Sequence, residues 1–169
     1  MKYLVGYSEE IKRQVSLKIS EGSLSALLFQ KYSDLHDIKT DKVLYSYVID
    51  LKNKFIKNAQ APSKVMFDSD IRTIRRALGT HTAISRVQGG KLKVKNEIRV
   101  ASLFKKVPLP FLKMIVVHEL AHLKVKEHSA AFYKLCVNME PDYHQLEFDL
   151  RLYLTHIELV GELDWISRK

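Results

Sequence analysis

Phe111-Leu112-Lys113-Met114-Ile115-Val116-Val117-His118-Glu119-Leu120-Ala121-His122 is the stretch from which the rest of the chain is read. Its first seven residues are apolar except for Lys113. A helix that is apolar nearly all round is a buried helix. Three ionisable side chains then follow within five residues. Burying such groups is costly unless they are paired or bind a metal. His118 and His122 stand four apart, so a helix puts them on one face, one turn from each other. Two imidazoles placed so can hold one zinc ion. Glu119 is turned by about 100° from His118 around the helix, beside the metal but not needed as a ligand. This is the H-E-x-x-H arrangement, with glutamate as general base for the zinc's water.

A third histidine, His128, follows six residues after His122. It cannot face the same way if the helix continues, so the helix must end between them. Lys124-Val125-Lys126-Glu127 turns charged there, and Ser129 suits the N-cap of a new helix. Three neutral imidazoles leave the fourth zinc position open, the mark of a catalytic site. The expected ligands are therefore His118, His122 and His128, with Glu119 catalytic. Tyr133 and Tyr143 are candidate oxyanion donors or supports, although each also reads as a packing tyrosine. Ligand histidines need acceptors for their other ring nitrogen, and Glu147, Asp142 and Asp149 are candidates. Surface salt bridges explain those three acids equally well. His144 reads as a surface histidine on a helix. His36, His81 and His156 show no partner pattern. Cys136 reads as a small core residue.

The chain has 169 residues, 46% hydrophobic and 28% charged, which fits one globular domain with a real core. Its single cysteine excludes an internal disulfide framework and fits a reducing cytosol. No signal peptide or membrane span is expected, because no apolar run approaches the roughly 18 residues a span needs. The location expected is cytoplasmic, with no membrane partner. A net charge of +9 favours contact with nucleic acid or another polyanion. The cations are scattered, however. Lys52/Lys54/Lys57 and Lys91/Lys93/Lys95 have the spacing of ordinary solvated faces, beside the Arg72/Arg75/Arg76 and Lys105/Lys106 groups.

Residues 1–60 read as a helical N-terminal subregion. One helix spans 8–20, capped by Ser8 and striped by Ile11, Val15 and Ile19, and ends at Gly22. A short second helix runs to Tyr32. A third opens at Thr40-Asp41, with Leu44, Val48, Leu51 and Phe55 as its stripe. Residues 61–160 then hold a sheet, the H-E-x-x-H helix and the last helices. Lys64–Asp68, Thr82–Val87 and the apolar positions from Leu92 to Val100 read as strands, and Ile71–Leu78 as strand or helix. Gly89-Gly90 suits a tight hairpin turn, so the sheet is expected to be small and mostly antiparallel. Pro108 and Pro110 start the metal helix. Further helices are expected from Ser129 and from Pro141, the latter striped by Leu146, Leu150, Leu154 and Ile157.

His118-Glu119-Leu120-Ala121-His122, then His128-Ser129 and Phe132, resemble the YgjP-like zinc metallopeptidase family, related to the WLM and SprT-like mini-zincins. Ala77-Leu78-Gly79, Ser85 to Leu92 and Glu140-Pro141-Asp142-Tyr143-His144-Gln145-Leu146-Glu147-Phe148-Asp149 extend the likeness to nearly the whole chain. The resemblance implies a bacterial α+β zincin-like domain over 1–169. Its sheet would lie on the helix of the two histidines, and the third ligand would come from the turn that follows. It implies Zn2+ as cofactor and a peptide or protein substrate. Two departures stand out. Val125 occupies the place of the metzincin glycine, and Ala77-Leu78-Gly79-Thr80-His81 replaces a Trp-Gly-Ser-like stretch of broader relatives.

The leading expectation is thus a zinc-dependent metallopeptidase in which Glu119 takes the water's proton and passes it to the leaving amine. The alternatives are a SprT-like protease associated with nucleic acid, a nucleotide pyrophosphohydrolase, and a metal-binding module without turnover. The pyrophosphohydrolase ranks low here, since that chemistry usually uses magnesium on carboxylates.

Overall fold

The computed structural model describes residues 1–33, 35–70, 78 and 96–165. Helix α1 (Glu9–Ser20) starts on Ser8, whose hydroxyl accepts from the Ile11 amide at 3.3 Å. Gly22 has φ +68°, in the left-handed region that lacks a penalty only for glycine, and separates α1 from α2 (Ser23–Lys31). Helix α3 (Asp41–Phe55) is capped by Thr40, which accepts from the Val43 amide. Leu44 and Val48 of its stripe are buried, and Leu51 and Phe55 half-buried. Lys52 departs from the expected solvated face. It is buried, and its ammonium donates to the Lys57 carbonyl beyond the helix end.

Strands β1 (Lys64–Asp68) and β2 (Glu97–Ala101) pair from Lys64 opposite Glu97 to Asp68 opposite Ala101. The pairing is parallel, which corrects the antiparallel expectation. The reason lies in the connection. A hairpin joins antiparallel strands, whereas residues 69–96 span more than the dozen or so needed to bring the chain back to the start of β1. The expected strand at 82–87, the Gly89-Gly90 turn, residues 71–77 and His81 lie outside the described residues. Val65, Phe67, Ile98 and Val100 bury the alternate positions of the two strands.

A 3₁₀ turn (Ser102–Lys106) leads from β2 into α4 (Leu109–His122), with Pro110 in its first turn. α4 is the centre of the domain, packed against β2, α3 and the two helices that follow it. Phe111, Leu112, Met114, Ile115, Val116, Val117, Leu120 and Ala121 are all buried. Each large apolar side chain taken out of water contributes roughly 1.5–3 kcal/mol, so this helix is where the core is concentrated. Helices α5 (Ala130–Met139) and α6 (Tyr143–Leu159) complete the α+β architecture.

Two buried polar side chains of α6, Asp149 and Arg151, help attach it to the rest. Asp149, buried, accepts from Lys31 and Tyr32 at the end of α2 and from Gln145 at 3.0 Å. Arg151, also buried, donates to the carbonyls of Tyr3 at 3.0 Å and Leu78 at 2.7 Å. Among the described residues, no helix is long and apolar enough to cross a membrane.

Candidate metal centre

The last turn of α4 carries His118 and His122, and the chain then breaks from the helix as expected. His122 ends α4, and Ser129 caps α5 by accepting from the Phe132 amide at 3.4 Å. The intervening segment returns His128 to the other two imidazoles. Nε2 of His122 lies 3.2 Å from Nε2 of His118 and 3.1 Å from Nε2 of His128, and the third separation is 3.2 Å. Three nitrogens around one tetrahedral zinc, at bonds of about 2.0–2.1 Å, stand about 3.3 Å apart. The triad thus fits a single ion of that size. None of the non-glycine residues described has a positive φ, so the turn holds Val125 without needing the glycine of the metzincin pattern.

The remaining ring nitrogens show how the triad is oriented. His122 Nδ1 lies 3.0 Å from the Val125 carbonyl, which can only accept, so this nitrogen carries the proton and Nε2 keeps its lone pair. His118 Nδ1 lies 2.7 Å from the Tyr143 hydroxyl. A proton on this Nδ1 would be donated to the Tyr143 oxygen and leave Nε2 its lone pair. Exposure increases across the triad, from buried His118 through half-buried His122 to exposed His128. Burial lowers all three imidazole pKa values, His118 furthest, where the charges of His122 and His128 add to the effect. Neutral imidazoles are what a metal requires. Glu119 is half-buried on the adjoining face, and burial pushes its carboxyl up to about 7.

A family model described as "YgjP-like, metallopeptidase domain" matches residues 73–153. The chain is also 57% identical, over 159 residues, to the protein named UTP pyrophosphatase of Escherichia coli (strain K12). That alignment covers 94% of this chain and 95% of the relative. This chain belongs to the YgjP-like family. Both descriptions are of hydrolytic enzymes. No solved structure matches it.

Around the triad of this YgjP-like domain, the other sequence candidates fall into two groups. Tyr143 is fully buried against His118. Tyr133 is half-buried at the rim, its ring 6.4 Å from that of His128 and 6.2 Å from that of Tyr143. None of the three acids is bonded to a triad imidazole. Glu147 is held by Arg151, through Nη2 at 2.7 Å and Nε at 3.3 Å. It remains close enough to favour the charged form of His128. Asp149 faces α2, and Asp142 is exposed. His144 is exposed and stacks near Tyr133 outside the triad. His36 bonds the Phe104 carbonyl and the Ile38 amide, and His156 the Gly161 carbonyl, so both serve the frame. Cys136 is buried, its thiol pushed up to about 12 by desolvation, which makes it inert as a nucleophile.

Two supports have no signature in the sequence as ligand partners. One is the Val125 carbonyl, a backbone group. The other is Phe132, fully buried, whose ring centroid lies 4.9, 4.5 and 4.9 Å from those of His118, His122 and His128. Its place in the H-S-x-x-F stretch is a pattern, but only packing shows that the ring meets all three imidazoles.

Proposed function

We propose that this chain is a metal-dependent hydrolase of nucleoside triphosphates, splitting UTP or a close analogue into monophosphate and pyrophosphate. The observation that carries this reading is the 57% identity, across 94% of the chain, to a protein named UTP pyrophosphatase. It reverses the order given by sequence alone, in which peptide hydrolysis led. The net charge of +9 suits a triphosphate at least as well as a nucleic acid. The described residues form no carboxylate cluster of the magnesium type, so His118, His122 and His128 would hold the ion.

Bound there, zinc or a similar ion supplies Lewis acidity, lowering the pKa of water to about 7 and offsetting charge on a phosphoryl oxygen. Glu119 takes the proton of the attacking water. Burial raises this carboxyl to about 7 in the metal-free protein, and a cation held by the three imidazoles would favour its ionised, proton-accepting form. The water oxygen forms a bond to the α-phosphorus, the bond from that phosphorus to the bridging oxygen breaks, and pyrophosphate leaves. Tyr143 and the Val125 carbonyl hold two imidazoles in the tautomer that presents Nε2.

A second reading is peptide hydrolysis, favoured by the family model's description as a metallopeptidase domain. The same Glu119 would then return its proton to a leaving amine. Zinc-loaded protein incubated with UTP, and separately with a peptide library, distinguishes the two. The expected result is pyrophosphate and UMP from UTP. Glu119→Gln should keep its zinc and lose about 10²–10⁴-fold in rate. Peptide cleavage without UTP turnover would establish the second reading instead. Zinc binding with neither activity would leave a metal-binding module.

A further inference from the structure

We infer that the affinity of the triad for its ion is set from outside the H-E-x-x-H helix, by two positioning residues, Tyr143 of α6 and Phe132 of α5. The inference rests on the reading of His118, His122 and His128 as metal ligands. His118 is the buried member, and water cannot supply the partner that its Nδ1 needs. Tyr143 supplies it at 2.7 Å and is itself fully buried. By accepting the Nδ1 proton, the Tyr143 oxygen favours the tautomer with Nε2 unprotonated, the form that can bind a metal. Among the described residues no carboxylate bonds His118 Nδ1, Glu147 being engaged by Arg151 and Asp149 by α2.

Phe132 acts on the rotation of the rings. Its centroid lies within 4.9 Å of each imidazole centroid, so each of the three rings is braced by the same side chain. The backbone that carries Phe132 is tied in turn to Ser129, the residue after His128, by the cap at the start of α5. Free imidazoles lose rotamer freedom when an ion gathers them, which weakens binding. Rings already held by packing lose less, so the ion binds more tightly for the same three bonds.

The test is zinc affinity of the full-length protein, measured by competition with a chromophoric chelator, for wild type, Tyr143→Phe and Phe132→Leu. Thermal unfolding in excess chelator shows that each variant is folded. Losing a partner of this kind weakens metal binding by about 10–100-fold, and that range is expected for Tyr143→Phe, with a loss of at least about tenfold for Phe132→Leu. A second readout is the pair of ring-nitrogen chemical shifts of His118 in the metal-free protein at neutral pH. Wild type should show one tautomer, protonated on Nδ1, and Tyr143→Phe a mixture. A tyrosine that only fills space would leave those shifts unchanged. If Phe132→Leu does not fold, Tyr143→Phe decides, because it removes one oxygen and keeps the ring. Zinc affinity within about threefold of wild type, with a single tautomer retained, overturns the inference alone. A wild-type protein that binds no zinc overturns the metal reading and this inference with it.

Discussion

At the scale of single residues, the ionisable groups of the centre pull the stability of the metal-free protein in opposite directions. His118, His122 and His128 lie below the ordinary imidazole value because burial disfavours their charged forms. In the unfolded chain they return to about 6.5. As pH falls through that value, the unfolded chain takes up protons that the folded triad does not, so stability is present above about 6.5 and is lost below it. Glu119 acts the other way. Its carboxyl rises from 4.5 to about 7, so between those values the folded chain keeps a proton that the unfolded chain has released. That contribution grows as pH falls. In excess chelator, the change in urea midpoint from about pH 7.5 to about pH 5.5 therefore reflects the loss from the three imidazoles less the gain from the carboxyl. Glu119→Gln, lacking the opposing group, should drop more steeply. Parallel pH profiles for the two proteins would show that the glutamate does not titrate as its burial requires.

At the scale of elements, the decisive feature is the break between α4 and α5. α4 could be recognised from its own residues, because an apolar run with histidines four apart has one helical reading. The break was equally legible. Ser129 caps α5 in the structure, as Ser8 and Thr40 cap α1 and α3. N-caps depend on residues three apart, so they do not await the tertiary fold. Ser129→Ala should cost about 1 kcal/mol in urea denaturation and weaken zinc binding, because the cap anchors both His128 and Phe132. Equal stability together with unchanged zinc affinity would mean that the packing of Phe132 alone sets the turn. The sheet was read less well. Alternation correctly picked out β1, but pairing direction is a relation between distant segments. The Gly89-Gly90 turn behind the antiparallel expectation lies outside the described residues, whereas β1 pairs with β2 in parallel. Lys52 was misplaced for a similar reason: its spacing matched a solvated face, and only the chain after the helix end showed what covers it.

At the scale of the molecule, Arg151 is the connection that holds the parts together. One guanidinium bonds the Tyr3 carbonyl, the Leu78 carbonyl and Glu147, joining the first residues of the chain and residue 78 to α6. Its side chain is 11% exposed and that of Glu147 15%, so loss of the arginine leaves a mostly buried carboxylate and two carbonyls without their donor. Arg151→Met should cost about 3–5 kcal/mol in chemical denaturation. A loss below about 1 kcal/mol would mean that water replaces the guanidinium, as at an exposed pair.

The sequence by itself determined the buried helix α4, the face shared by His118 and His122, the helix break and the caps. Each is a rule about residues three to six apart, enforced by helix geometry and by the backbone groups at helix ends. Tertiary structure decided what those rules cannot reach. It made the sheet parallel, bonded His118 to Tyr143 rather than to an acid, braced the triad on Phe132 and engaged Glu147 with Arg151. These contacts depend on which surfaces of α4, α5 and α6 meet, and packing settles that over the whole core at once.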